Sequence, residues 1–433
     1  MMTKLKNNTL NLNQKKFWLN LALLAPLGAL VVVSAFRVNA MPNFARQTGM
    51  TCADCHSIIP RLNRTGYDFR RAGFRMPDEI GEDRDFEKNR GTSDANMGNY
   101  FASRIQMNSS WKQRDDGMNP KTHSTQIEFK EFTLYPLTGG FLRNWASESE
   151  ISGATDEIEV ENAYLRYTGG NEKTYWHVRG GIFHPFEGYG ASDRPLSLSR
   201  PFIQSKGTMN ANGDVNGWHP WGFDQSGFEG GITSRNTSLS FAVFNGLMEN
   251  AADPAQGGGL KKAAGSPTQN DVDFQVFANQ FIPLGNNTEA AISGYYYNGR
   301  ISLGADTALV QNDFYRYAFY ATIPIQTAQI LGAYSGGRDT YKMGGDPSID
   351  NAGFFVEVDN QFNENVGAGV RYDWFDPNDN TDNDAATAVS AFVNVPLNTG
   401  IQFLAEYKYA KTEKGTNPDL EDNSVNIRTI YIF

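Results

Sequence analysis

Over most of the chain beyond about residue 98, apolar residues recur at every second position in short runs, a pattern that few folds accommodate. In one run, Tyr315, Tyr317, Phe319, Ala321 and Ile323 share a face, while Arg316, Ala318, Tyr320 and Thr322 share the other. Val366, Ala368, Val370, Tyr372 and Trp374 alternate likewise with Gly367, Gly369, Arg371 and Asp373. Ile401, Phe403, Ala405, Tyr407 and Tyr409 alternate with Gln402, Leu404, Glu406 and Lys408. Period two marks a strand. An apolar face opposite a charged one is what a transmembrane strand shows with lipid outside and water inside.

Sixteen such segments can be counted, near 98–111, 122–135, 139–151, 157–168, 173–184, 226–234, 236–245, 271–283, 288–300, 311–325, 327–337, 351–363, 365–375, 385–396, 399–411 and 423–433. Their connections alternate between short and long once the loop around Asp115-Asp116-Gly117 is taken as extracellular. Short ones include Pro136-Leu137-Thr138-Gly139, Gly285-Asn286-Asn287 and Pro396-Leu397-Asn398-Thr399; the longest spans roughly 185–225. Outer-membrane barrels combine an even strand number with short periplasmic turns and long outer loops. A propeller would show a blade repeat, and none is present. The chain ends on Phe433, as the C-terminal signal of outer-membrane barrels does. The expected fold is mainly β: a 16-stranded antiparallel outer-membrane barrel over 98–433, preceded by a small helical domain over 41–97.

Composition agrees. The net charge of −10 disfavours nucleic acid as a partner, and the mean hydropathy of −0.48 disfavours a helical membrane bundle. Only Phe17 to Val33 approaches spanning length; it follows Lys4, Lys6, Lys15 and Lys16 and precedes the small-residue site Val38-Asn39-Ala40. That order marks residues 1–40 as a secretory signal peptide, with an uncleaved anchor as the alternative. Either way the chain leaves the cytoplasm.

Cys52-Ala53-Asp54-Cys55-His56 has the C-x-x-C-H spacing of covalent c-type haem attachment. Each thiol adds to one vinyl group, and His56 falls beneath the iron as proximal ligand. A thioredoxin-like pair needs a βαβ context, and a zinc site needs further Cys or His nearby. The chain has no other Cys, and the next His is His123. One covalently attached haem is therefore expected. For the sixth position Met76, before Pro77, is the first candidate, with Met41, Met50, Met97 and His123 as competitors and a five-coordinate iron as a further alternative. Met ligation would raise the iron potential relative to bis-His.

Leu62, Gly66, Phe69 and Gly73 recur at helical spacing, predicting a short helix that lays Leu62 and Phe69 on the haem edge. Six arginines lie between Arg46 and Arg75, available to haem propionates, lumen carboxylates or an acidic redox partner. Glu148, Glu150, Glu159 and Glu161, with Arg104, Arg143, Arg166 and Arg179, are expected to build a solvated lumen network rather than a cradle for an inserted domain. The 185–225 connection is of the size that folds into porin channels. Its His184, Glu187 and Asp193 offer imidazole and carboxylates that suit a divalent metal such as iron(II), although their spacing matches no defined metal motif, and Trp218-His219-Pro220-Trp221 follows later. The acidic run Asp373 to Asp384 reads as loop chemistry or as a weak cation attractor.

Phe44-Ala45-Arg46-Gln47-Thr48-Gly49, the haem motif, Pro60-Arg61-Leu62-Asn63 and Gly66-x-x-Phe69-x-x-x-Gly73-Phe74 resemble the fused monohaem cytochrome–porins of bacterial outer membranes. The local resemblance covers about residues 40–80; over the barrel it is one of architecture. It implies Cys52 and Cys55 as haem attachments, His56 as axial ligand, and a haem domain at or within the barrel. The best-known members of that family are iron(II) oxidases. The function implied is that of an iron(II):cytochrome c oxidoreductase, taking electrons from extracellular iron(II) and passing them to a periplasmic cytochrome. Because the hydrocarbon layer of such barrels is about 25 Å thick, a single haem must sit partly inside the lumen. Two alternatives stand beside it: export of electrons to an external metal, and a diffusion porin whose haem domain is a plug or sensor.

Overall fold

The structure, a computed structural model, describes residues 42–83, 97–154, 158–184, 195–206, 224–245, 272–285, 288–303, 310–341, 348–363, 366–397 and 400–433. The expected signal peptide over 1–40 lies outside them. Asn39–Phe433 form one compact unit.

The chain begins with α1 (Pro42–Thr48), α2 (Cys52–Cys55), the short ladder of β1 (His56–Ile58) and β2 (Arg61–Leu62), and α3 (Arg64–Arg71). The barrel follows with β3 (Ala102–Asp115), β4 (Thr122–Tyr135), the stub β5 (Gly139–Gly140), β6 (Trp145–Gly153), β7 (Ile158–Asn171) and β8 (Thr174–Phe183). After α4 (Phe202–Ser205) come β9 (Gln225–Ser234), β10 (Thr237–Phe244), β11 (Asp273–Gly285), β12 (Thr288–Leu303), β13 (Val310–Ile325) and β14 (Ala328–Tyr341). The last five strands are β15 (Ile349–Asn363), β16 (Val366–Asp376), β17 (Ala386–Leu397), β18 (Ile401–Lys414) and β19 (Asn417–Ile432). Each pairs antiparallel with its sequence neighbour, and β19 pairs with β3, so the sheet closes. The stub β5 pairs antiparallel with β6 and continues the ladder that β4 makes along it, so Gly139–Gly140 belong with β4 and not with the third strand; counting β4 and β5 as one, the barrel has the sixteen strands expected.

Alternation places the faces as expected. On β13, Phe319 and Ile323 are 58% and 42% exposed, whereas Arg316, Ala318 and Tyr320 point inward and are buried. Leu165, Val178, Ile232, Phe241, Val358, Val370 and Val389 continue the outer apolar band. The strands outrun the apolar pattern at their outer ends: the β18–β19 ladder continues to Lys414 and Asn417, with Lys411 paired to Asp419 at 2.7 Å. Beyond the hydrocarbon layer, backbone pairing persists but outward side chains no longer need to be apolar, so alternation understates strand length.

Inside, the lumen is fuller and drier than the expected solvated network. Arg316 pairs with Asp339 at 2.9 Å, Arg371 with Asp373 at 2.8 Å, and Glu229 takes both Arg179 and His177, all buried. Phe183, Phe244, Tyr297 and Phe314 form a row of rings 5.3–6.1 Å apart along the inner wall. Of the acidic run, Asp373 turns inward to Arg371, while burial and the neighbouring Asp376 push the Asp384 carboxyl up to about 7. At neutral pH that loop carries less negative charge than its sequence suggests.

The β8–β9 connection folds inward, as its length suggested. Leu196 donates its backbone N–H to Glu357 at 2.8 Å, Ser199 to Glu406 at 3.1 Å and Phe202 to Asp373 at 3.0 Å. Arg371 grips the Ser199 carbonyl at 2.7 Å. Buried wall charges thus anchor the connection through its backbone, whatever its side chains.

Candidate functional site

Rather than forming a separate compact domain, the segment from Pro42 to Asp83 belongs to the barrel's unit and lies against the lumen wall. Its arginines make the joint. Arg61, 4% exposed, reaches Glu357 at 3.1 Å and Asp359 at 2.9 Å on β15. Arg64 pairs with Asp68 at 2.7 Å and Glu289 at 3.2 Å, donates to the Arg235 carbonyl, and stacks 4.3 Å over Phe281. Arg70 approaches Glu148 at 3.7 Å, and Arg166 donates to the Arg71 carbonyl. Arg75 donates to the carbonyls of Leu142, Arg143 and Trp145. Asn394 and Gln402 donate to the Ile59 carbonyl at 2.7 and 3.0 Å. Wall groups thus hold the plug, chiefly Glu289, Glu357 and Asp359; of the lumen charges singled out in the sequence, Glu148 and Arg166 take part by side chain. Arg235 lies in the two-residue β9–β10 turn, which places this inserted segment at the short-turn end of the barrel.

Between this plug and the inward connection lies a cavity of about 400 Å³, within the range of small-molecule and cofactor sites. Cys52, Cys55 and His56 line it from the plug, and Pro195 to Leu198 with His184 from the connection. Leu62 and Phe69 line it too. The predicted helix forms as α3, with Asn63 capping it by accepting from the Gly66 N–H at 3.1 Å. Phe44, Phe69 and Phe74 bundle beside the cavity with ring centroids 5.1–6.1 Å apart.

The thiols and imidazole suit covalent haem. His56 Nδ1 donates to the Pro60 carbonyl at 3.1 Å, since a carbonyl only accepts; Nε2 therefore keeps its lone pair for a metal. Burial holds the imidazole below its ordinary pKa and so neutral, the ligating form. Burial, with Asp54 nearby, pushes the Cys55 thiol up, the opposite of the lowered thiol typical of a thioredoxin-like pair.

α3 must come very close to the attachment turn. A Cβ on Gly66 would lie 2.2 Å from the Cys55 carbonyl oxygen, which also accepts from the Asn63 N–H at 2.9 Å. Backbone cannot yield as a side-chain tip can. Gly66→Ala is expected to weaken plug docking by about 1–3 kcal/mol, measured as faster proteolytic release of the N-terminal segment from an intact barrel. Protection equal to that of the parent would refute this packing.

Met76 is placed elsewhere. It packs beside the buried aromatic cluster and is not among the cavity-lining residues, while Met50 is. His123 stacks near Trp111 on the outer β3–β4 hairpin. Met41, the side chain of Met97, Glu187, Asp193 and the Trp218–Trp221 stretch lie outside the described residues.

Sequence reading missed the apolar wall opposite the plug. Leu404, Ile430 and Ile432 line the cavity from β18 and β19, beside Gln402 and Arg428. The signal was available as parity, for Ile430 and Ile432 share the register of Asn426 and Arg428, the inner face. Beside it stands an acidic wall of Glu148, Glu150 and Glu161. Carboxylate oxygens of Glu131, Glu150 and Glu161 lie within 4.8 Å of one another, and Arg104 pairs with Glu131 and, at 3.0 Å, with Glu150.

No protein-family model matches the chain, and no curated protein does. Solved structures of similar fold include OprB of Pseudomonas putida, at 6% identity and TM-score 0.50, over 76% of this chain and 94% of that one. The outer membrane channel DcaP of Acinetobacter baumannii is 12% identical, with TM-score 0.49 and 77% and 96% of the two chains covered. An anion-selective porin from Comamonas acidovorans is 9% identical, with TM-score 0.48 and 77% and 98% covered. At such identities the likeness shows fold alone: a porin-type outer-membrane barrel.

Proposed function

We propose that this protein is an outer-membrane c-type cytochrome that carries single electrons across the outer membrane, oxidising extracellular iron(II) and delivering the electrons to a periplasmic cytochrome. One observation carries the reading: Cys52, Cys55 and a neutral His56 face a largely apolar cavity inside the barrel, where an open pore would present water. The haem, bound there, supplies the one-electron redox chemistry. The chain's residues would do the rest. Cys52 and Cys55 tether, and His56, oriented by Pro60, ligates. Phe44, Phe69, Leu404 and Ile430 exclude water, and Arg70, Arg104 and Arg428 offer cations to the propionates. The carboxylates of Glu131, Glu150 and Glu161, within 4.8 Å of one another, could take a divalent cation through oxygen.

A second reading, a diffusion channel with a haem plug or sensor, draws on the similar folds, two of which carry the names of an outer membrane channel and an anion-selective porin. The two readings part on one experiment. The oxidised, haem-loaded protein is mixed anaerobically with iron(II), and the haem α-band is followed by stopped flow. Rapid reduction, absent in a His56→Ala variant that still folds its barrel, is expected. A loaded protein that stays oxidised, with an open conductance in planar bilayers, would overturn the proposal in favour of the channel.

A further inference from the structure

We infer that His184 supplies the sixth ligand of the haem, so that the iron is held between the plug and the barrel wall with two imidazoles. This rests on the haem reading above and goes beyond it, because it moves the distal ligand from the haem-bearing segment to the barrel.

Among the described residues lining the cavity, the imidazole and thioether side chains besides His56 are Met50 and His184. A sixth ligand must approach the porphyrin face opposite His56. Met50 stands two residues before Cys52, on the stretch that carries the attachment. His184 instead follows β8 directly, at the start of the inward connection, and lines the same cavity as His56 from an element other than the plug. Its position is set by the wall. The His184 N–H donates to Asn162 Oδ1 at 3.4 Å, Asn162 donates to Glu150 at 3.2 Å, and both partners line the cavity. The preceding Phe183 is fully buried against Tyr164 and Phe244, and Arg179 lies 4.1 Å over its ring, which fixes the strand end. His184 is thus tethered next to the last paired residue of β8, Phe183, which limits how far it can swing.

Axial identity sets both spin state and potential, so the test is spectroscopic. The full-length, haem-loaded protein is purified from outer membranes and examined by absorption, magnetic circular dichroism and electron paramagnetic resonance. The parent is expected to be low-spin with no sulfur-to-iron charge-transfer band. His184→Ala should turn high-spin, and added imidazole should restore the low-spin spectrum. His184→Met should gain the sulfur-to-iron band and a higher midpoint potential. A loaded parent that is high-spin, shows the sulfur band, or keeps its low-spin spectrum in His184→Ala would overturn the assignment while leaving the cytochrome reading intact. A parent without covalent haem would overturn both. Heat-modifiable migration of each variant in gels checks that the barrel has closed.

Discussion

Replacing Arg61 with alanine should unseat the plug and open the barrel. The guanidinium is buried between Glu357 and Asp359, at 3.1 and 2.9 Å, and also donates to Gln329 at 2.8 Å. Removing one partner of a buried pair typically costs about 3–5 kcal/mol, because the remaining charge is left uncompensated. Each 1.4 kcal/mol is a factor of about ten, so the undocked population should rise roughly 100- to 3,000-fold. Single-channel recording in planar bilayers should then show openings that the parent lacks. The triple variant Arg61→Met, Glu357→Gln, Asp359→Asn removes the stranded charges with the cation and should close the channel again. An Arg61→Ala protein as silent as the parent would mean that Arg64, Arg75 and the Ile59 carbonyl suffice to hold the segment.

Cys52→Ser combined with Cys55→Ser should abolish covalent haem and, with it, all reduction by iron(II). The barrel should still assemble, because neither residue takes part in the closed ladder from β3 to β19. The plug, however, should loosen. Without an apolar occupant, the partly exposed Ile430 and Ile432 would face water, at a cost near 25 cal/mol for each Å² left wet. Haem staining of denatured protein gives the first readout, and proteolysis of residues 42–83 the second. Haem retained through denaturation in the double variant would sink the covalent assignment.

The barrel was legible because its physics is local. One face per strand meets lipid, so Phe319 and Ile323 alternate with Arg316 and Tyr320 whatever the rest of the molecule does. Boundaries were harder where that pressure stops. The outer end of β19 carries Asn417, Asp419 and Glu421 on one face, and the third strand starts at Trp145, since Gly139–Gly140 pair back onto it as a continuation of the second. The C-x-x-C-H pattern at Cys52 to His56 stands out in the sequence because the haem attachment proposed for it would fix its spacing. Its surroundings do not, because they come together from distant parts of the chain: Arg61 meets residues nearly three hundred positions away. Met76 shows the same limit from the other side. Its distance from His56 in sequence was plausible for a ligand, but nothing local reveals that it is partly buried against the aromatic cluster and absent from the cavity lining.

The closing seam of the barrel runs between its first strand and its last, β3 against β19. The plug precedes both in the chain, and Arg46 holds the carbonyls of Gly98 and Phe101 at the very entry to β3. During export, then, the segment with Phe44, Phe69 and the two thiols emerges before there is any lumen to receive it. That interval is when its thiols are most open to modification, before the wall and the inward connection cover them. The haem proposed above would then be attached before the wall closes, and a delay in that step would leave an aromatic, unhoused leader waiting for its lumen.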